Sequence, residues 1–177
     1  MMRIHIIGPP GSGKTTLAQR LASSLQLPLY ELDYIAWEEG YPETERPLEI
    51  RLRDIRHIAT QPAWITEGVF LTWIDELLSS ADYIVWLDVP MRLTLRQTLF
   101  RRLRNDFGEP PPPTSLLKQI KFLTYLGRYY YSKKLTETRW STLNSLKVYQ
   151  NKLAHCRNLI ESEAFLKSIL EQYQEER

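Results

Sequence analysis

Apolar and polar positions alternate so as to divide the chain into short β-branched runs separated by helical stretches. Arg3 to Ile7 is one such run; it meets Gly8-Pro9-Pro10-Gly11-Ser12-Gly13, after which Leu17, Leu21 and Leu25 keep to one face. The pattern predicts strand, glycine loop, helix. A second strand is expected over Leu27 to Leu32, ending at Asp33, and a helix through Leu48, Leu52, Ile55 and Ile58. Gln61-Pro62 leads into a third strand, Ala63 to Thr66, closed by Glu67-Gly68. Leu71 to Leu78 reads as a short helix, and Asp82 to Leu87, the most apolar run, as a fourth strand terminated by Asp88-Val89-Pro90.

A basic helix from Met91 to about Asn105 follows. Phe107 to Ser115 contains Gly108 and four consecutive prolines, Pro110 to Pro113, which fit neither a helix interior nor a sheet ladder, so this stretch is expected to be a surface loop or small lid. Helical patterns resume over Ser115 to Lys134 and Thr138 to Leu153; a weak strand is expected near Arg157 to Glu161, then a last helix after Ser162. Five strands separated by helices imply an α/β fold with a mostly parallel sheet covered on both faces. With 177 residues the chain has material for one well-buried core, so residues 1–177 are expected to form a single domain.

Composition changes this picture little. A hydrophobic fraction of 43% and a charged fraction of 25% exclude a disordered or fibrous chain. One cysteine, Cys156, excludes an intrachain disulfide and a cysteine-based zinc site. No export signal or apolar run of about 20 residues is visible, so a cytoplasmic setting is expected. Charge is more informative. Between Met91 and Trp140 eleven basic residues face three acids, a net +8, leaving −6 for the rest of a chain whose total is +2. Such a block suits a polyanion or, more plainly, a solvated helix face.

The candidate chemistry centres on Gly8-Pro9-Pro10-Gly11-Ser12-Gly13-Lys14-Thr15, which fills every position of G-x-x-x-x-G-K-[ST], the Walker A pattern, between a predicted strand and a predicted helix. Glycine allows backbone N–H groups to turn inward around phosphates, and the helix N-terminus adds partial positive charge. The nucleotide-binding set is therefore Gly8, Pro9, Pro10, Gly11, Ser12, Gly13, Lys14, Thr15 and Thr16, with ATP or GTP as the ligand. Lys14 is expected between the β- and γ-phosphates, and the Thr15 hydroxyl on Mg²⁺.

The order of these elements resembles the small P-loop kinases related to adenylate, shikimate and gluconate kinases. Within them it is most similar to the adenylate kinase-related DNA topology modulation (FlaR-like) proteins. The residues that carry the resemblance are the loop Gly8 to Thr15, Leu32-Asp33 with Trp37, Trp64-Ile65-Thr66 with Glu67-Gly68, Leu87-Asp88-Val89-Pro90, Arg101-Arg102-Leu103-Arg104, and Ser162. It implies a three-layer P-loop nucleoside triphosphate hydrolase fold, a five-stranded parallel sheet and a small lid at about 101–115. It also implies an ATP-dependent phosphotransferase acting on a small-molecule or nucleotide acceptor. Arg101 and Arg102 would then close over the triphosphate and steady the transferring phosphoryl group; otherwise they complete a basic helix end.

Two carboxylates are candidates beside the loop. Asp33 ends a strand on the carboxyl edge of the sheet, where open α/β folds bind ligands; substrate binding, base assistance and a plain turn role stay open. Glu67 is expected next to the phosphate-loop strand, where it can hold a water on Mg²⁺, and it ranks above Asp88 as a metal residue. Departures from the adenylate-kinase pattern matter here. Glu67-Gly68-Val69-Phe70-Leu71 lacks the arginine that grips a monophosphate in those enzymes, which weakens the case for a nucleoside monophosphate acceptor. Tyr34, Trp37, Trp64, Phe70 and Trp73 form a candidate acceptor lining or plain core, with Arg46, Arg51 or Arg53 available to a phosphate. The alternative reading is a nucleotide-dependent regulator of nucleic acid. It rests on the +8 block interleaved with Tyr125, Tyr129, Tyr130, Tyr131 and Trp140.

Overall fold

The computed structural model describes residues 2–38, 44–104, 116–133 and 136–175, with the backbone alone at 99–104 and 116–119. Residues 105–115 of the predicted lid and the side chains of Arg101 and Arg102 therefore lie outside the described residues. Five parallel strands form one sheet in the order β2-β3-β1-β4-β5. These are β1 (Arg3–Ile7), β2 (Leu29–Glu31), β3 (Trp64–Gly68), β4 (Tyr83–Leu87) and β5 (Leu153–Cys156). Because β1 is central, its strand neighbours pair with both edges and helices cover both faces, so Ile4, Ile6 and Ile7 are all buried and His5 is fully enclosed as well.

One face is covered by α1 (Lys14–Leu25) and α8 (Leu159–Glu175). Leu17, Ala18, Leu21 and Leu25 meet Leu166 and Ile169 over Ile4, Ile6, Ile65 and Val85. The opposite face is covered by α3 (Leu48–Ala59), α4 (Asp75–Ser80) and α7 (Arg139–Leu146), which bring Ile55, Ile58, Leu77, Leu78 and Leu146 onto Ile7, Trp64, Ile84 and Trp86. Short α2 (Asp33–Ala36) follows β2 directly, α5 (Met91–Arg104) follows β4, and α6 (Leu116–Tyr131) precedes α7. No helix among the described residues is long and apolar enough to cross a membrane.

Several boundaries differ from the sequence pattern for identifiable reasons. Asp33 opens the short helix α2 instead of closing a strand, because β2 is an edge strand only three residues long. Glu67 and Gly68 lie inside β3, held by pairing with Ile6 and Ile7. Leu71 to Ile74 is non-helical, with Leu71, Trp73 and Ile74 buried; α4 starts at Asp75, where two acids occupy the first turn and suit the helix N-terminus. The helix expected to run to Leu153 stops at Leu146, and a 3-10 segment with non-helical Tyr149 intervenes. The fifth strand lies four residues earlier than its expected start at Arg157, since Leu153–Cys156 pairs with Ile84–Leu87, a long-range contact that local periodicity does not report. Ser162 falls inside α8 and not before it.

Candidate functional site

The chain leaves β1 at the carboxyl edge of the sheet and turns through the glycine loop into α1. Gly11 adopts φ +74° and Gly13 φ +95°, values that L side chains resist. A Cβ on Gly11 would lie 2.5 Å from Thr98 Oγ1 and 2.8 Å from the Thr94 carbonyl, so α5 packs directly on the loop. The Ser12 N–H donates to the Pro9 carbonyl at 3.1 Å and fixes the bend. Gly13 occupies the N-cap position of α1, no side chain caps that end, and no acid stands in the first turn. Its amide donors are thus left for an incoming anion.

Lys14, with a side chain only 11% exposed, has its Nζ 3.4 Å from the Pro9 carbonyl oxygen and 3.8 Å from Glu67 Oε2. Thr15 Oγ1 donates to Glu67 Oε1 at 2.8 Å. Glu67 is 5% exposed, and β3 carries it to this point because the β1–β3 register sets it opposite Ile6, two residues before Gly8. A buried carboxylate beside a threonine hydroxyl is a hard oxygen pair, suited to hold Mg²⁺ directly or through water. Among the described residues no group of three His, Cys, Asp or Glu could hold a metal, so water and phosphate oxygens would supply the other ligands. Thr16 is exposed in the first turn of α1.

Asp88 is occupied elsewhere. Its side chain is 1% exposed, Arg139 donates to both oxygens at 2.6 and 2.8 Å, and His155 Nε2 stands 2.9 Å from Oδ2 while its ring stacks on Trp86 at 4.2 Å. Those contacts tie α7 to the end of β4. His5, fully buried in β1, places Nδ1 2.8 Å from Thr66 Oγ1. Burial, and secondarily the Lys14 ammonium, push its pKa down to about 3, so it is neutral.

A second group of residues lies on the β2 and β3 side of the loop. Crowding around the Asp33 carboxyl raises its pKa even though the side chain as a whole is exposed; Lys14 opposes the rise, Glu67 adds to it, and a hydrogen bond from Trp37 opposes it. Trp37 neighbours Phe70 at 6.4 Å, and Phe70 neighbours Trp73 at 4.9 Å. Arg51 lies over the Trp73 ring at 5.4 Å and pairs with Glu45 at 3.2 Å. Glu137, at φ +57°, has its pKa raised chiefly by burial and then by Glu45, while the Leu71 backbone N–H and Arg51 lower it. Tyr125 of α6 is pushed up by burial, then by the charges of Glu137, Tyr129 and Asp33, so it lies within electrostatic reach of both carboxylates.

Of the five aromatic residues expected to line an acceptor site, Trp37, Phe70 and Trp73 come together. Trp64 does not: it sits at the amino end of β3, fully buried in the core, and Tyr34 is 65% exposed. Arg46 is held by Asp54 at 2.8 Å and by the carbonyls of Tyr34 and Ile35, and Arg53, 74% exposed, also turns to Asp54. The tyrosine set that suggested base stacking is dispersed. Tyr129 is buried, Tyr130 donates to the Val89 carbonyl at 2.6 Å, and Tyr131 and Trp140 remain exposed. Glu137 and Tyr125 escaped the sequence reading as members of this group, since they lie about a hundred residues from Asp33 and no motif links them.

Comparison with known proteins bears on the fold that carries the loop. The family described as ATPase family associated with various cellular activities (AAA) matches residues 4–84, a stretch that begins in β1 and contains the phosphate loop. Over 132 residues the chain is 26% identical to a shikimate kinase of Tolumonas auensis, spanning 66% of this chain and 76% of that protein. A shikimate kinase of Rhodococcus jostii is 50% identical over 35 residues, which is 20% of this chain and 21% of the relative. Among solved structures, a shikimate kinase from Acinetobacter baumannii in complex with shikimate superimposes with a TM-score of 0.53 at 17% identity, covering 100% of this chain and 95% of that one. A gluconokinase from Sinorhizobium meliloti gives 0.51 at 15% identity, covering 99% and 97%. The five-stranded parallel sheet, its helix layers and the loop at Gly8 to Thr15 thus make this chain a P-loop nucleoside triphosphate hydrolase fold, the architecture it shares with these kinases.

Proposed function

We propose that this chain is an ATP-dependent phosphotransferase, a kinase that moves the γ-phosphoryl group to a hydroxyl of a small molecule. The observation that carries this reading is the uncapped N-terminus of α1, with Lys14 and the Thr15–Glu67 pair beside it and an aromatic and carboxylate-lined group of residues next to that. The likeness to shikimate kinases and a gluconokinase supports it.

In this reading the amides of Gly11 to Lys14 and the Lys14 ammonium cradle the triphosphate, whether ATP or GTP. Thr15 and Glu67 would hold Mg²⁺, which when bound neutralises phosphate charge. Lys14 leaves the Pro9 carbonyl and Glu67 for the phosphates. Asp33 orients the acceptor hydroxyl and accepts its proton, a task that its raised pKa suits. The acceptor oxygen forms a bond to the γ-phosphorus as the bond to the β-bridging oxygen breaks, its electron pair leaving with the diphosphate. Arg101 and Arg102, at the end of α5, would steady the transferring group from a lid at about 101–115, within a single domain of residues 1–177. The finer resemblance to the FlaR-like group and a cytoplasmic setting belong to the same proposal.

The test is phosphoryl balance. Purified protein, ATP, Mg²⁺ and a hydroxyl acceptor panel are expected to give slow basal ADP release that accelerates with the right acceptor, with label from γ-³²P recovered in that acceptor. Label recovered only as inorganic phosphate under every condition would contradict the proposal. Salt-sensitive binding of DNA or RNA without phosphoryl transfer would favour the nucleic-acid reading instead.

A further inference from the structure

A cavity of about 390 Å³ opens between the edge strand β2, the short helix α2 and α3, lined by Tyr30, Ile35, Arg53, Asp54, His57 and Ile58. Neither the phosphate loop nor Glu67 or Asp33 belongs to that lining. Two residues along a helix turn through about 200°. Ile35 therefore meets the cavity while Asp33, which opens the same helix, does not. The volume lies in the range of small-molecule sites. Ile35 and Ile58 are buried and Tyr30 is half-buried, so the floor is apolar, whereas Arg53 and His57 are exposed.

The charge around this floor is unevenly matched. Asp54 serves two guanidiniums: Arg46 donates to its Oδ2 at 2.8 Å, and Arg53 to its Oδ1 at 3.2 and 3.3 Å. Arg46 also donates to the carbonyls of Tyr34 and Ile35, at 3.3 and 3.2 Å, so it is committed to α2 as well as to Asp54. Arg53, with the longer bonds and a side chain 74% exposed, is the cation that can turn to a new anion. An apolar floor beside a half-compensated guanidinium suits an organic anion; a cation would be repelled, and a neutral molecule would gain apolar contact alone. We infer that this cavity is a second ligand site, for a small apolar molecule bearing one carboxylate, with the carboxylate on Arg53 and the apolar group against Ile35, Ile58 and the Tyr30 ring. Its occupant bears on α2. That single turn is closed by the Ala36 N–H on the Leu32 carbonyl at 2.8 Å and the Trp37 N–H on the Asp33 carbonyl at 3.0 Å, and Arg46 ties its Ile35 carbonyl to Asp54. Filling the cavity steadies the turn that carries Asp33. The inference goes beyond the kinase reading and stands or falls without it.

Benzoate, benzyl alcohol and benzylamine, titrated into the ¹⁵N-labelled full chain and followed by amide shifts, test it with one ring and three charges. Benzoate is expected to move the amides of Tyr30, Ile35, Arg53, His57 and Ile58 with one shared dissociation constant and to leave Gly11 to Thr15 unmoved. Benzyl alcohol should bind about tenfold more weakly, the worth of one charge-assisted contact, and benzylamine more weakly still. Arg53→Gln, at an exposed position, should bring benzoate and benzyl alcohol within about twofold of each other. A ratio taken within one variant does not depend on how much of that variant is folded. At saturating benzoate, hydrogen exchange at Ala36 and Trp37 should slow severalfold. The inference is overturned if benzoate moves no amide of the lining, if its shifts centre on Gly11 to Thr15, if either other probe binds as tightly, or if Arg53→Gln leaves the preference for benzoate intact. Unaltered exchange at Ala36 and Trp37 with the cavity filled would overturn the link to α2.

Discussion

His5 gives the most quantitative prediction. Its ring lies wholly inside the sheet, and its pKa falls from an ordinary 6.5 to about 3 because burial, and then the Lys14 ammonium, oppose a positive charge there. The unfolded chain takes up a proton near pH 6.5 whereas the folded chain does not until near pH 3. Stability is therefore unaffected by this group above pH 7 and falls as pH drops through the interval between the two values. Full occupancy of that difference is worth about 1.4 kcal/mol per pH unit, so by pH 4.5 the loss from this residue alone is about 3 kcal/mol. Urea unfolding followed by tryptophan fluorescence from pH 7.5 to 4.5, in the wild type and in His5→Asn, separates this residue from the carboxylates that titrate alongside it. Asparagine keeps a polar group near Thr66 and cannot titrate, so the variant starts less stable but should lose less on acidification. Parallel pH dependences in the two proteins would refute the reasoning, and a wild type stabilised by acid would reverse its sign.

Further outcomes follow from the same geometry. Gly11→Ala should weaken nucleotide binding by about tenfold or more, from the left-handed backbone and the collision with Thr98 and Thr94. Gly13→Ala, with its nearest neighbour 3.9 Å away, should cost less, and calorimetric titration with ATP ranks the two. Arg139→Met leaves the buried Asp88 with His155 alone and should destabilise the fold by about 2 kcal/mol in urea, with little change in ATP affinity. Asp33→Asn should raise the melting temperature slightly at pH 7, because it removes a charge that its surroundings disfavour, while acceptor-dependent turnover falls. A lower melting temperature with unaltered turnover would contradict both halves of that statement.

What could be read from the sequence follows from the range of the forces involved. The loop Gly8 to Thr15 and the strands around it were legible because the strand, the glycines and the helix are contiguous, and because Ile4, Ile6 and Ile7 of β1 and Ile84 to Leu87 of β4 are buried. The fifth strand was misplaced because its identity depends on pairing Leu153–Cys156 with β4, nearly seventy residues away. Likewise, the β1–β3 pairing implied by the sequence pattern sets Glu67 beside the loop, whereas Asp33 opens α2 instead of closing a strand, and Tyr125 and Glu137 act on one another only through the packing of α6 and the turn before α7. Trp64 belongs to the plain core and not to an acceptor lining, because three residues of extended strand separate it from Glu67 and put it at the opposite end of β3.

Isothermal titration of the folded protein with Mg²⁺ and a nonhydrolysable ATP analogue tests the central claim most directly. One site per chain is expected, weakened at least tenfold in Lys14→Ala, where a buried ammonium no longer meets the phosphates. Wild-type protein that releases no binding heat and shows no change in melting temperature with the nucleotide would contradict the account at its base.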